Sequence, residues 1–129
     1  MKKALAVVAA ALAMVLVVAT PASATSSGFT GSLVKDQQVF YSNGRTITVG
    51  GSHIFIQKTD GPHLHAKWYK CGNRGVSGAW IEFLNADPTA RKRIGSGFLS
   101  GTVFCLAAWS HGNNATDTWS GTIWWNVFS

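Results

Sequence analysis

Two histidines separated by a single residue are the most chemically suggestive feature of this sequence. His63 and His65 lie within the stretch TDGPHLHAKWYKC, Thr59 to Cys71. Imidazole nitrogens bind metal ions and transfer protons near neutral pH, so the pair indicates either a metal site or an acid–base site. Two imidazoles do not complete a tetrahedral zinc shell, so a metal site would need further ligands. The plausible additions are His53, His111 and Asp60.

The residues around these histidines favour a simpler interpretation, because apolar and polar side chains alternate along the segment. Leu64, Ala66 and Trp68 occupy one set of positions, and His63, His65, Lys67 and Tyr69 occupy the other. Successive side chains of a strand point to opposite faces of a sheet. We therefore expect both histidines on the polar, solvent-facing side of a β-strand, with no metal ion and no cofactor.

A second set of residues could support catalysis. Small secreted ribonucleases can work with a glutamate, a histidine and an arginine, and Glu82, His111 and the Arg91–Arg93 cluster supply these residue types. General acid–base catalysis requires such groups to converge on one phosphate, and the spacing does not establish this. Neither G-x-S-x-G nor H-E-x-x-H occurs in the chain. A small hydrolase or nuclease therefore remains an alternative, and no catalytic residue is assigned.

Tryptophan is unusually frequent, and all six tryptophans follow residue 24. Trp124 and Trp125 are neighbours, so on a strand they point to opposite faces and one of them faces outward unless a second layer covers it. Trp119 follows a polar segment at residues 111–118 and is expected at the mouth of a loop. Exposed tryptophans stack on sugars and anchor protein partners. We assign these three to a binding surface, the alternative being that both sheets of a sandwich cover them.

Basic residues form two clusters that could hold phosphate or carboxylate groups. Arg91, Lys92 and Arg93 follow Asp87-Pro88 and are expected in a loop between strands. The second cluster is Lys67, Lys70 and Arg74, around Cys71. We assign Arg91, Lys92, Arg93, Lys67 and Lys70 to the binding surface. Ordinary solubilising charge is the competing interpretation.

The elements that must position these residues have the pattern of an all-β protein. Short runs rich in Val, Ile, Phe, Trp and Thr alternate with Gly, Asn, Asp and Pro, which predicts a small antiparallel β-sandwich or barrel of about six to eight strands. Asn43-Gly44, within Gln37 to Gly50, predicts a hairpin with a type I′ turn. The segments 53–58 and 63–71 predict a second hairpin across residues 59–62. Later strands are expected at Ala79–Asn85, Phe98–Ser110 and Trp119–Phe128.

The first 24 residues have the features of a secretory signal peptide. Lys2 and Lys3 precede an apolar run from Ala4 to Ala19, Pro21 interrupts it, and small residues end it at Ala24. The run is short for a membrane span. We expect residues 1–24 to be removed and residues 25–129 to form a single secreted β domain.

Export also bears on the two cysteines, Cys71 and Cys105. An even count in an oxidising compartment predicts one disulfide. Residues 25–129 contain nine Lys and Arg against five Asp and Glu, a net charge of +4. This charge favours encounter with anionic surfaces such as a bacterial envelope.

These features favour a secreted, non-enzymatic binding module that uses exposed aromatics and basic loops. Its partner is expected to be an anionic or glycan cell-envelope surface, or another secreted protein, rather than nucleic acid. An antagonism protein has the same sequence features, whether a bacteriocin-like toxin, a protease inhibitor or an adaptor subunit of a toxin assembly. The small hydrolase or nuclease is the third possibility.

Overall fold

The computed structural model describes residues 24–85, 91–110 and 116–129, which form ten β-strands and no helix. The strands are β1 (Thr25–Val34), β2 (Gln38–Phe40), β3 (Arg45–Thr46), β4 (His53–Asp60), β5 (Leu64–Lys70), β6 (Asn73–Ser77), β7 (Ile81–Phe83), β8 (Arg91–Gly95), β9 (Val103–Ser110) and β10 (Thr116–Val127). A search of these residues for a helix that is long and apolar enough to cross a membrane finds none.

The strands form two antiparallel sheets. The four-stranded sheet has the order β1-β10-β4-β8, and β10, the longest described strand, pairs along both edges. The six-stranded sheet has the order β2-β9-β5-β6, with β3 also paired to β9 and β7 to β5. Its central pair, β5 and β9, is continuous from Leu64 opposite Ser110 to Lys70 opposite Phe104.

One apolar core joins the inner faces of both sheets. In β4, for example, Ile54 and Ile56 are buried while Phe55 between them is only half-buried, because alternate residues point to opposite faces. The buried members of this core are Leu33, Ile47, Ile54, Ile56, Leu64, Ala66, Phe83, Ile94, Phe98, Phe104, Leu106, Ala108, Trp119 and Ile123.

The all-β prediction is confirmed, although ten strands exceed the six to eight expected. The predicted disulfide is also confirmed, between Cys71 and Cys105. The alternation after His63 is confirmed as well: Leu64 and Ala66 are fully buried, whereas His65 and Lys67 lie on the opposite face.

The hairpin predicted at Asn43-Gly44 is wrong. Neither residue has a positive φ, and β2 and β3 do not pair with each other. Both pair with β9, Phe40 opposite Ala107 and Arg45 opposite Phe104, so residues 41–44 continue along the same edge instead of turning back. Pairing with β9 satisfies the main chain and still buries Ile47, which outweighs the local turn preference.

The second predicted hairpin is wrong too, because β4 and β5 belong to different sheets. Residues 61–63 therefore carry the chain from one layer to the other. The long strand predicted at Phe98–Ser110 begins only at Val103. Gly101, with φ of 92°, forms a turn before it.

Polar side chains tie the two sheets together. Tyr41, just after β2, donates its hydroxyl to the Ser32 carbonyl of β1 at 2.7 Å and accepts from Trp119 Nε1 of β10 at 2.9 Å. A Cβ on Gly31 would lie 2.6 Å from Tyr41 Cζ, so this contact requires glycine there. Burial raises the pKa of Tyr41 above its usual value, and the hydrogen bond from Trp119 opposes part of this rise.

Two lysine side chains form further hydrogen bonds between the two sheets. Lys58 is buried, and its Nζ donates to the Leu84 carbonyl at 2.9 Å. Lys92 Nζ in β8 donates to the Glu82 carbonyl of β7 at 2.7 Å. Each bond runs from the four-stranded sheet to the β7 region of the other sheet and limits sliding between them.

Replacing Tyr41 by Phe should lower the free energy of unfolding at pH 8 by about 1–2 kcal/mol, because Trp119 Nε1 loses its acceptor. The raised pKa adds a pH dependence. In the wild type the contribution of neutral Tyr41 is fully present below pH 10 and is lost as pH rises through the raised folded pKa. The stability gap between wild type and Tyr41→Phe should therefore narrow in urea titrations above pH 10. A constant gap between pH 8 and 11 would contradict this assignment.

Candidate functional site

The outer face of the six-stranded sheet carries several aromatic and charged side chains in contact with one another. The register places Glu82, His65 and Trp109 in one row across β7, β5 and β9. Phe40, Ala107 and Lys67 form the next row across β2, β9 and β5. We call this surface the cation–aromatic face; its members are Phe40, His63, His65, Lys67, Arg74, Trp80, Glu82 and Trp109.

An apolar layer supports this face. Tyr69, Cys105 and Ala107 are buried there, apart from the main core, with half-buried Phe40 and Trp80 packed against them. The Cys71–Cys105 disulfide lies in the same layer and joins the end of β5 to β9. This layer gives the face a fixed base, although it lies on the side of the sheet away from the main core.

Two cations rest on aromatic rings of the face. Lys67 Nζ is 4.4 Å from the centre of the Trp80 ring and 5.9 Å from that of Phe40. Arg74 Cζ is 4.0 Å from the centre of the Phe40 ring. Such contacts stabilise by about 0.5–1 kcal/mol at exposed positions, which is enough to bias long side chains toward one arrangement.

A histidine–carboxylate cluster borders these cations. Glu82 Oε2 lies 3.1 Å from His63 Nε2 and 3.8 Å from His65 Nε2. The side chains of His63 and Glu82 are 42% and 53% exposed, so both are open to a ligand. In the described ranges, no three His, Cys, Asp or Glu side chains are arranged to hold a metal ion.

This arrangement suits an anionic ligand that also carries hydroxyl groups. The cations of Lys67 and Arg74 lie over aromatic rings, Lys67 being partly exposed and Arg74 exposed to solvent. Guanidinium and ammonium groups bind carboxylates through charge-assisted hydrogen bonds. Glu82 can accept from hydroxyls, and the ring edges of Trp80 and Trp109 offer apolar contact.

The Arg91–Arg93 cluster lies in β8, not in the predicted loop. The reason is its pairing with β4, which sets Arg93 opposite Phe55 and Arg91 opposite Gln57. Strand geometry separates the three side chains. Lys92 Nζ donates a hydrogen bond to the Glu82 carbonyl. Arg91 Cζ lies 4.5 Å from the centre of the Phe55 ring and 4.9 Å from the centre of the Trp124 ring. Arg91 also donates to the Ser129 main-chain oxygen.

The tryptophans predicted for binding are separated as well. Trp119 is 1% exposed and belongs to the core, so its expected place at a loop mouth is wrong. Trp125 packs against the core, and Trp124 lies on the opposite face with Arg91, as the predicted split of neighbours requires. None of the three belongs to the cation–aromatic face. Of the predicted binding residues, that face contains Lys67, whereas Lys70 lines a groove on the other side of β5.

Sequence reasoning missed most of the face. Phe40, Trp80 and Trp109 were not assigned to a site, and His111, a candidate partner of Glu82, lies outside the described residues. The alternation in β5 already placed His65 and Lys67 on one face. The disulfide alone would not have set Trp109 opposite His65, because Cys105 lies opposite Tyr69 in the ladder and not opposite Cys71.

Comparison with models of known protein families and with curated protein sequences finds no match to this chain.

Replacing both cysteines by Ser should lower the free energy of unfolding by about 3–4 kcal/mol, the chain-entropy contribution of a loop of this length. The sequence separation of the pair is 34 residues. Urea denaturation of the variant, and of the wild type in reductant, should give matching losses. A loss below about 1 kcal/mol in both would show that the disulfide does not stabilise the base of the face.

Proposed function

We propose that the chain is an exported β-sandwich binding module that recognises an acidic glycan of the cell envelope through the cation–aromatic face. In this proposal residues 1–24 are a removed signal peptide, and residues 25–129 are the binding domain. The ligand class is a sugar polymer with carboxylate groups.

One observation carries the proposal: Lys67 and Arg74 are held over aromatic rings beside the His63–Glu82 pair. Cations fixed in this way lose less conformational entropy on binding a carboxylate than free surface lysines do. The adjacent carboxylate and imidazoles favour a ligand with both acidic and hydroxyl groups. A simple polyphosphate lacks the hydroxyls that would use Glu82.

The disulfide supports export, since structural disulfides form and persist in oxidising compartments. The apolar run ending at Ala24 supports the same conclusion from the sequence.

A hydrolase or nuclease is the second candidate, favoured by the contact of Glu82 with His63. A carboxylate beside two imidazoles can exchange protons with a substrate, and Lys67 could neutralise a developing negative charge. If the wild type cleaves RNA or the glycan and Glu82→Ala does not, the protein is this enzyme and not a binding module.

Replacing Lys67 or Arg74 by Ala should weaken binding of oligogalacturonate, an acidic glycan probe, by about tenfold each, because each variant removes a hydrogen bond to a charged group. Stability should fall by no more than about 1 kcal/mol, the size of an exposed cation–π contact. Isothermal titration calorimetry and urea denaturation measure the two effects separately.

Arg93→Ala is the matched control, since it removes one exposed positive charge from the other sheet. It should leave the affinity within about twofold, the weak effect expected of a distant screened charge. An equal loss in the control, or equal affinity for the methyl-esterified probe, would refute recognition by the cation–aromatic face.

A further inference from the structure

A groove of about 290 Å³ opens between the edges of the two sheets, away from the cation–aromatic face. Its wall includes Trp68 on the inner side of β5, Val76 in β6, and Phe98 and Leu99 from the segment before β9. Lys70 is the one charged side chain among its lining residues. The groove is therefore mainly apolar, with one positive charge.

The groove has a rigid floor. The rings of Trp68 and Phe98 meet edge-on with centroids 4.8 Å apart. A Cβ on Gly78 would lie 2.4 Å from Trp68 Nε1, and one on Gly95 would lie 2.5 Å from Phe98 Cζ. Glycine at both positions therefore lets the backbone pack directly against the rings that form the wall of the groove.

The rim exposes apolar side chains that the core does not use. Leu99 is 79% exposed, the highest value among the exposed large apolar residues of the described chain, and Val76 is 44% exposed. Hydrogen bonds fix this segment: Phe98 N donates to the Ser52 carbonyl at 3.2 Å, and Thr102 Oγ1 donates to the Leu99 carbonyl at 2.7 Å. Leu99 is thus held outward by an ordered backbone, and adjoining exposed apolar side chains of this kind mark interaction sites.

A strand edge runs beside the groove. β6 ends the order of the six-stranded sheet and pairs with β5 through Ser77 opposite Tyr69 and Asn73 opposite Lys70. Tyr69 faces the outer side, so Ser77 shares that side and Val76 points toward the groove. At Gly75 the N–H donates to Asn73 Oδ1 at 3.2 Å, an acceptor that the carbonyl of another strand can replace.

We propose that β6 and this groove bind an extended segment of a partner protein, which adds as a strand to the edge of β6 that no described strand pairs. Strand addition supplies affinity through main-chain hydrogen bonds, and alternate side chains supply specificity. One of these alternate side chains is apolar and enters the groove between Val76 and Leu99. The next side chain on the same face, two residues away, is Asp or Glu, whose charge complements that of Lys70 in the groove.

The test uses the oxidised, isotope-labelled protein and two peptides, acetyl-Thr-Leu-Thr-Glu-Thr-amide and the same peptide with Lys in place of Glu. Amide shifts on titration should be confined to residues 73–77 and 96–99. The Glu peptide should bind about two- to fivefold more tightly at low salt, the ratio expected of one exposed ion pair. Lys70→Glu should reverse this preference, an outcome that general unfolding cannot produce.

Leu99→Ser should weaken both peptides, and Val34→Ser, which removes an exposed apolar side chain from β1, should weaken neither. Absence of shifts at millimolar peptide, or an unchanged preference in Lys70→Glu, would overturn the proposal. Concentration-dependent dimerisation that Leu99→Ser abolishes would also overturn it, since the occupant would then be a second copy. Lys67→Ala tests the glycan face at a residue outside β6 and outside the groove, so the two proposals can fail separately.

Discussion

The register between β5 and β9 is the constraint on which the rest of the structure depends. It sets Ala66 opposite Ala108 on the core side and Lys67 opposite Ala107 on the outer side. Since side chains alternate strictly, a slip of one residue would exchange these two faces. The Cys71–Cys105 disulfide fixes the register covalently at one end of the pair. The core and the candidate site are therefore two sides of one pairing.

The outer face combines aromatic and charged side chains on the surface of one sheet. The small side chain of Ala107 leaves room for Phe40 and Trp80 to pack over the centre of the sheet. Lys67 and Arg74 then lie across these rings and do not extend freely into solvent. Apolar area and positive charge are thus combined on the same few residues, which suits a ligand that is both flat and acidic.

The two proposed surfaces lie on different parts of the same sheet and use different physics. At the centre of the cation–aromatic face the main chains of β5 and β9 are paired on both sides, so only side chains can contact a ligand there. At β6 the sheet ends, and main-chain groups become available beside an apolar groove. Under the two proposals together, the domain would attach to an envelope polymer through one surface and hold a second protein through the other.

The sequence by itself determined the features that depend on local pattern and covalent chemistry. Alternation placed His65 and Lys67 on the face opposite Leu64 and Ala66, and the cysteine count predicted the disulfide. The sequence also required Trp124 and Trp125 to diverge, because that follows from strand geometry alone. The general class of fold was predictable for the same reason.

Tertiary structure decided which strands are partners. Asn43-Gly44 has the preferred sequence of a tight turn, yet residues on both sides of it pair with β9, more than fifty positions later in the chain. The choice depends on burying Ile47 and on the bonds of Tyr41 to Ser32 and Trp119, which a local pattern does not contain. Residues Arg91–Arg93 form a strand because they pair with β4, and alternation along this strand places their side chains on different sides of the sheet. Long-range pairing free energies exceed local turn preferences, so the candidate site became visible only when the sheets were assembled.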